Sequence, residues 1–229
     1  MIRHLLRVSL AGAALLLAVH PAYSQDEVHQ TALDRHLQRM DFAINGLGQF
    51  TTQVQGMNFN GVVPTQTPTI VTEKPGNTAG ALITLRYTKS RWVGFEANYG
   101  YARYREAFAS SAFTSLPVPI TPQVNANEYS FGWVVHPGTV FGVQTFVSAG
   151  SGTIAFRPTK GGGEGLPEQG RQVYYWDGGA ELPLFQSHFG LRLQFRQQLF
   201  LAPDFEENYL RIKKRALTTQ PGFGFYVHF

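Results

Sequence analysis

The sequence predicts an all-β chain: an eight-stranded antiparallel up-and-down transmembrane β-barrel with short turns at one end and long loops at the other. Three observations carry this expectation. Eight segments of about ten residues alternate apolar with polar or small positions, as strands with two unlike faces do. Their connections alternate between tight turns and long loops. The last segment keeps its alternation to the end, with Phe223, Phe225, Val227 and Phe229 on one face and Gly222, Gly224, Tyr226 and His228 on the other.

Residues 1–24 read as a secretory signal peptide. Arg3 and Arg7 make a positive start, Val8 to Val19 is apolar, and Ala22 and Ser24 place cleavage before Gln25. That apolar run is too short to cross a bilayer of about 30 Å as a helix, and no later segment is long enough either. Residues 25–40 form a periplasmic extension. Within it Glu27 to Met40 lacks proline and glycine and spaces Leu33, Leu37 and Met40 as a helix would, so a short helix and a disordered leader both remain open.

The barrel occupies residues 41–229. Segment one runs from Asp41 to near Thr52 and has the weakest pattern; segment two covers Ala79 to Tyr87. Segment three sets Val93, Phe95, Ala97, Tyr99 and Tyr101 against Gly94, Glu96, Asn98 and Gly100. Segment four sets Tyr129, Phe131, Trp133 and Val135 against Glu128, Ser130 and Gly132, and segment five sets Phe141, Val143, Thr145 and Val147 against Gly142, Gln144 and Ser148. Segment six, Gln172 to Leu184, is looser, whereas segment seven is the clearest: Phe189, Leu191, Leu193, Phe195 and Leu199 against Arg192, Gln194, Arg196 and Gln198. Thr88 to Arg91, His136 to Thr139 and Phe185 to His188 are the tight turns. Gln53 to Asn77, Tyr104 to Ala126, Pro158 to Arg171 and Ala202 to Arg215 are the long loops. Short periplasmic turns and long extracellular loops are the habit of a membrane barrel, and an even strand count returns Phe229 to the periplasmic rim.

Composition agrees. The chain is 14% aromatic and only 15% charged, against about a quarter charged in an ordinary soluble chain. With no cysteine there is no disulfide framework, thiolate nucleophile, cysteine-ligated zinc or lipidated cysteine. Removing the signal takes two of the 19 basic residues and none of the 15 acidic ones, so the formal charge falls from +4 to +2. An exported chain with so small a charge and no basic helix does not read as a nucleic-acid binder.

A soluble barrel has its apolar face inside; a membrane barrel reverses that sense. Charges and glycines on one face, aromatics near segment ends (Trp92, Tyr99, Tyr101, Tyr129, Trp133, Tyr174, Trp176, Tyr226) and the apolar last strand select the membrane form. Arg86, Glu96, Glu128, Asp177, Glu181, Arg192 and Arg196 then face the lumen. An eight-stranded barrel has room inside only for side chains, so these charges must pair. A fixed plug of salt bridges is the plainer outcome, and a gate whose pairs exchange partners is the sharper one.

On signal, strand count, loop asymmetry and last strand, residues 41–229 resemble the small eight-stranded outer-membrane barrels, the family of the OmpA transmembrane domain and OmpX. The resemblance implies export through the general secretory pathway and a monomer in the outer membrane. It also implies that Phe223, Phe225, Val227 and Phe229 form the signal read by the barrel-insertion machinery. Two departures stand out: Val227 occupies the place, third from the end, where the family has an aromatic, and Pro221 removes a ladder hydrogen bond and should sit at a bulge. The expected role is structural, adhesive or surface-presenting, with a narrow ion channel and a lipid-modifying enzyme as alternatives.

For the enzyme, Ser187 and His188 are adjacent and so point apart, His136-Pro137-Gly138 reads as a turn, and His228 has no evident Ser or Asp partner. No histidines fall at metal-ligand spacing, and no cofactor is expected. Gly161-Gly162-Gly163-Glu164-Gly165 lacks the Gly-Lys-Ser/Thr ending of a phosphate loop and reads as a loop tip. The loop Ser110 to Pro122 is extended and exposed by composition. Arg211, Lys213, Lys214 and Arg215 are candidates for contact with lipopolysaccharide phosphates, or form a solvated loop base.

Overall fold

The computed structural model describes residues 31–58, 69–90, 92–110, 121–163, 165–184, 188–207 and 210–229. The signal peptide, Arg91, Glu164, Ser187 and most of the loop Ser110 to Pro122 lie outside the described residues. The chain divides into two compact units, Met1–Arg35 and His36–Phe229. Thr31 caps a helix, α1 (Ala32–Leu37): its hydroxyl and backbone N–H both donate to Asp34 Oδ2, at 2.8 and 2.9 Å, and the Asp34 N–H returns a bond to the hydroxyl. The hydroxyl bond, then the backbone one, holds the Asp34 carboxyl below its ordinary value.

Among the described residues the second unit holds ten strands: β1 (Met40–Thr51), β2 (Val54–Asn58), β3 (Thr69–Pro75), β4 (Thr78–Thr88), β5 (Val93–Ser110), β6 (Gln123–Val140), β7 (Val143–Pro158), β8 (Gln169–Leu184), β9 (Phe189–Leu201) and β10 (Arg215–His228). Eight of them make the barrel. β1 pairs antiparallel with β10 on one side and β4 on the other, and each remaining strand from β4 onward pairs with its successor, so the ring closes. Closure is what hydrocarbon demands, because an unpaired backbone N–H or C=O has no water to bond there.

β5 and β6 are 18 residues long, well beyond the roughly 9–11 that cross a bilayer. The surplus lies at the outer end, and there the polarity of the wall reverses. Along β5 the outward residues run Phe95, Ala97, Tyr99, Tyr101 and then Arg103, Arg105. The inward ones run Glu96, Asn98, Gly100 and then Ala102, Tyr104 and Phe108. Sixteen buried apolar residues fill this outer end, among them Phe108, Phe156, Phe200, Phe205, Leu210 and Ile212. The wall at β5 is therefore lipid-facing and polar-cored below, water-facing and apolar-cored above.

That reversal corrects the expected loops. Gln53 to Asn77 is not all loop: β2 pairs with β3, and β3 continues onto the outer half of β5, from Val71↔Ser110 to Pro75↔Glu106. Tyr104 to Ala126 likewise begins and ends as strand. The periplasmic end needs a second correction. His136 to Thr139 is not the turn; it lies inside β6, bulged between Val135 and Gly138, and His136 faces inward and is buried. The reversal falls at Phe141 and Gly142, with φ of 52° and 80°, both positive as a two-residue hairpin turn of matching twist requires.

Phe223, Phe225 and Val227 face outward, with Phe225 stacked on Phe189 at 5.6 Å. Tyr226, expected near a girdle, points inward and is buried. Pro221 makes no bulge: β10 keeps one register against β1 on both sides of it, from Leu47↔Gly222 to Phe50↔Thr219. Its ring faces outward opposite Gly48, where a Cβ would lie 3.6 Å from Pro221 Cγ, so the strain is met by a gap in the ladder.

The two solvents of the wall are testable in one pair of variants. Leu193→Arg, in the lipid-facing stretch, should destabilise the folded barrel by about 2–4 kcal/mol, and Ala109→Arg, on the outer extension of β5, by under about 0.5 kcal/mol. Urea unfolding in lipid vesicles measures both.

Candidate functional site

Strand pairing fixes the lumenal charges before any side chain turns. Asp41 of β1 sits opposite Arg86 of β4, and Arg86 opposite Glu96 of β5. Glu181 of β8 sits opposite Arg192 of β9, and Asp177 opposite Arg196. From this frame the side chains build one chain of ion pairs. Arg86 spans Glu96 at 3.1 Å and Glu181 at 2.7 Å; Arg192 spans Glu181 and Asp41, both at 2.8 Å. Glu181 is thus shared by two guanidinium groups whose exposure is 1% or less.

Arg196 pairs with Glu128 at 2.5 Å, and Glu128 also accepts from Ser130 at 2.6 Å and from Gln198. Tyr175 couples the two groups: Arg196 lies 3.8 Å above its ring, and its hydroxyl donates to Glu96 at 3.0 Å. Ser148 and Asn98 complete the shell of Glu96, at 2.8 and 3.2 Å. Gly132 makes room for this, since a Cβ there would collide with the Tyr175 hydroxyl. Arg86 also covers Phe146, and Arg192 lies between Phe146 and Tyr226, at 5.5 and 5.6 Å.

Six of the seven predicted lumenal residues therefore enter ion pairs, and Asp177, though buried opposite Arg196, has an Oδ1 without a hydrogen-bond partner. Sequence reasoning missed Asp41 and Tyr175. Asp41 opens the weakest segment, yet its place two residues before Ala43 on the inward face was a usable signal. Tyr175 was hidden between Tyr174 and Trp176, which face outward.

Above the network, a small cavity of about 10 Å³, room for one water, is lined by Glu128 and Gln198 and by Ala102, Ala126 and Ile154 of the apolar core. Below it a periplasmic vestibule of about 610 Å³ reaches Asp41, Glu181, His136 and His228. His36, beside this end, shares a 3.0 Å bond with the Tyr87 hydroxyl, and His136 Nδ1 is buried without a partner. Among the described residues no group of His, Cys, Asp or Glu could hold a metal ion.

The basic run divides. Arg211 is tied to Asp204 at 3.4 Å, and Arg215 lies 5.8 Å from the Tyr174 ring. Lys213 and Lys214 are exposed, Lys213 with a φ of 55°.

The outer core contains a second charged group that the sequence did not announce. Glu73 of β3 and Glu106 of β5 are buried, and none of their four carboxylate oxygens has a hydrogen-bond partner. Pro75 pairs with Glu106, so the two acids are diagonal neighbours on one face. Burial, and then the charge of Glu106, pushes Glu73 well above the ordinary value; burial pushes Glu106 up to about 8, tempered by the nearby Tyr104 hydroxyl. Arg171 attracts Glu73 and Asp204 repels it. Asp204 itself stays below its ordinary value, because Gln169 at 2.7 Å and Arg171 at 2.8 Å outweigh its burial.

Two measurements test these groups. Arg192→Ala leaves Glu181 and Asp41 short of a partner and should destabilise the barrel by about 3–5 kcal/mol, read from urea unfolding in vesicles. For the outer acids, both folded-state values are raised, so the folded chain holds more protons than the unfolded one between the ordinary 4.5 and about 8. Stability is then greatest below that window and falls as pH rises through it. Melting from pH 5 to 9 should show this decline, and Glu106→Gln should flatten it.

Several solved structures resemble this one, three of which follow. Neisserial surface protein A aligns with TM-score 0.53 and 10% identity, over 83% of this chain and 97% of its own. The outer membrane protein OprG of Pseudomonas aeruginosa aligns with TM-score 0.54 and 11% identity, over 82% and 96%. Outer membrane protein AlkL, solved in lipid bilayers, aligns with TM-score 0.52 and 13% identity, over 92% and 96%. No protein-family model matches the sequence, and no curated protein matches it. At such identities the shared property is architecture: the chain has the fold of the small eight-stranded outer-membrane β-barrels.

Proposed function

We propose that the protein is a monomeric integral outer-membrane barrel with a plugged lumen, whose role is structural and surface-presenting. In this reading it is exported through the general secretory pathway, and its C-terminal face of Phe223, Phe225, Val227 and Phe229 is recognised by the insertion machinery. It then holds extracellular loops at the cell surface, adhesive where they meet a partner, with lipopolysaccharide and outer-membrane lipid around the wall. One observation carries the plug: the interior is occupied twice over. The Arg86–Glu181–Arg192 chain fills its middle, and the apolar core around Phe108, Phe156 and Phe205 fills its outer end. A gate would have to break buried ion pairs and also open a dry core, and each is strongly unfavourable.

The periplasmic vestibule favours the channel as second reading, since it brings water to Asp41 and Glu181. Planar-bilayer recording separates the two. A plug predicts no unitary conductance above the lipid leak, in the natural chain and in Glu181→Gln alike. Discrete openings that change in size or frequency in Glu181→Gln would establish the channel instead.

A further inference from the structure

The outer wall of β5, β6 and β7 changes chemistry within a few residues. On β5, Tyr99 and Tyr101 give way to Arg103 and Arg105; on β6, Phe131 and Tyr129 give way to Asn127, Asn125 and Gln123; on β7, Thr153 and Ala155 give way to Arg157. Register places Arg103, Asn125 and Arg157 side by side on three adjacent strands, so the two arginines stem from points about 10 Å apart with an amide between them. Arg105 sits opposite Gln123, whose Oε1 accepts from Arg103 at 2.7 Å. Arg157 carries the one acid of the group, Glu168, at 2.8 Å, with both side chains about half exposed.

Beneath the arginines the tyrosine hydroxyls point upward into the amides. Tyr101 donates to Asn125 at 3.3 Å and Tyr99 to Asn127 at 3.0 Å, while the Tyr99 and Tyr129 rings pack at 5.2 Å. Across the barrel the outward positions Leu199, Leu201 and Leu217 are apolar and Arg215, beside Leu201, lies over the Tyr174 ring, so the group of three arginines is local to one wall. From below upward the wall offers hydrocarbon contact, then ring faces, then amides and hydroxyls, then guanidinium groups. That order matches one kind of molecule, an amphiphile whose acyl chains lie lowest, whose sugars stand at the interface and whose phosphates stand highest.

We propose that this wall docks a phosphorylated glycolipid of the surrounding outer leaflet, with Arg103, Arg105 and Arg157 on its phosphates, Asn125 and the Tyr101 hydroxyl on its sugars, and Tyr129 and Phe131 on its acyl chains. The inference rests on the outer-membrane placement proposed above. Charge complementarity supplies the attraction, since guanidinium groups bind phosphate oxygens through paired N–H donors. The continuous apolar surface below selects a lipid over a soluble polyanion, which would leave that surface unused.

The test uses the full chain in phosphatidylcholine nanodiscs containing bisphosphorylated lipid A or its dephosphorylated form. Lipid A retained on the purified protein is quantified by native mass spectrometry across a range of lipid A content. The natural chain should retain the phosphorylated form, and R103Q/R105Q should lower apparent affinity about tenfold or more. R157Q should lower it less, because Glu168 already occupies part of that guanidinium. Equal retention of both lipid forms, equal retention by R103Q/R105Q, or stronger binding of soluble dextran sulfate at the same arginines would each overturn the proposal. Heat-modified gel mobility establishes that every variant is folded. A folded, non-conducting chain that retains no lipid A defeats this inference alone; a chain that never enters the bilayer defeats the outer-membrane reading with it.

Discussion

Backbone amides in hydrocarbon have nothing to bond but one another, and the rest of this structure follows from that constraint. It forces β1 onto β10, and the joint forms even across Pro221, where the ladder skips two pairings yet the register holds. Eight strands closed in this way enclose a space only as wide as the side chains pointing into it. Charges in that space cannot hydrate freely and must find each other, which they do in a chain running from Asp41 through Arg192, Glu181 and Arg86 to Glu96. Backbone chemistry outside thus dictates side-chain chemistry inside.

The ion chain also ties together strands that are far apart in sequence. Arg192 of β9 holds Asp41 of β1, 151 positions away, across the strand that closes the ring. Removing three guanidinium groups from water is expensive, and the structure offsets it with shared carboxylates and with the rings of Phe146, Tyr175 and Tyr226 beneath the cations. Nothing in the geometry accounts for Asp177 Oδ1, which has the burial of a member of this network and no hydrogen-bond partner.

The membrane portion was legible because period-two alternation with a single sense survives in sequence: Phe189 to Leu199 gives β9 almost complete, and Glu96, Glu128 and Arg192 all fall on the inward face. What escaped had a physical cause in each case. The outer ends of β5 and β6 were assigned to loops because Arg103 and Arg105 break the apolar face, although the alternation itself runs on through Tyr104 and Phe108. His136-Pro137-Gly138 has the composition of a turn, but a bulge absorbs it, and the chain reverses at Phe141-Gly142, where an aromatic residue takes a positive φ. Glu73 and Glu106 were invisible because a carboxylate in a long connection raises no question. Only β3 pairing onto β5 buries them.

The level at which the wall exchanges its two faces divides one continuous strand between two sets of rules. Below Ala102 an outward arginine is a fault and an inward one is structural; above it the outward arginine is ordinary and the inward carboxylate is the anomaly. Variation in such a strand is therefore governed by height as much as by face, and a substitution tolerated at Arg105 carries no information about Phe95, ten residues down the same β5. On β5 the upper stretch is fitted to water on its outer surface, so one strand carries a belt made for lipid and a crown made for water.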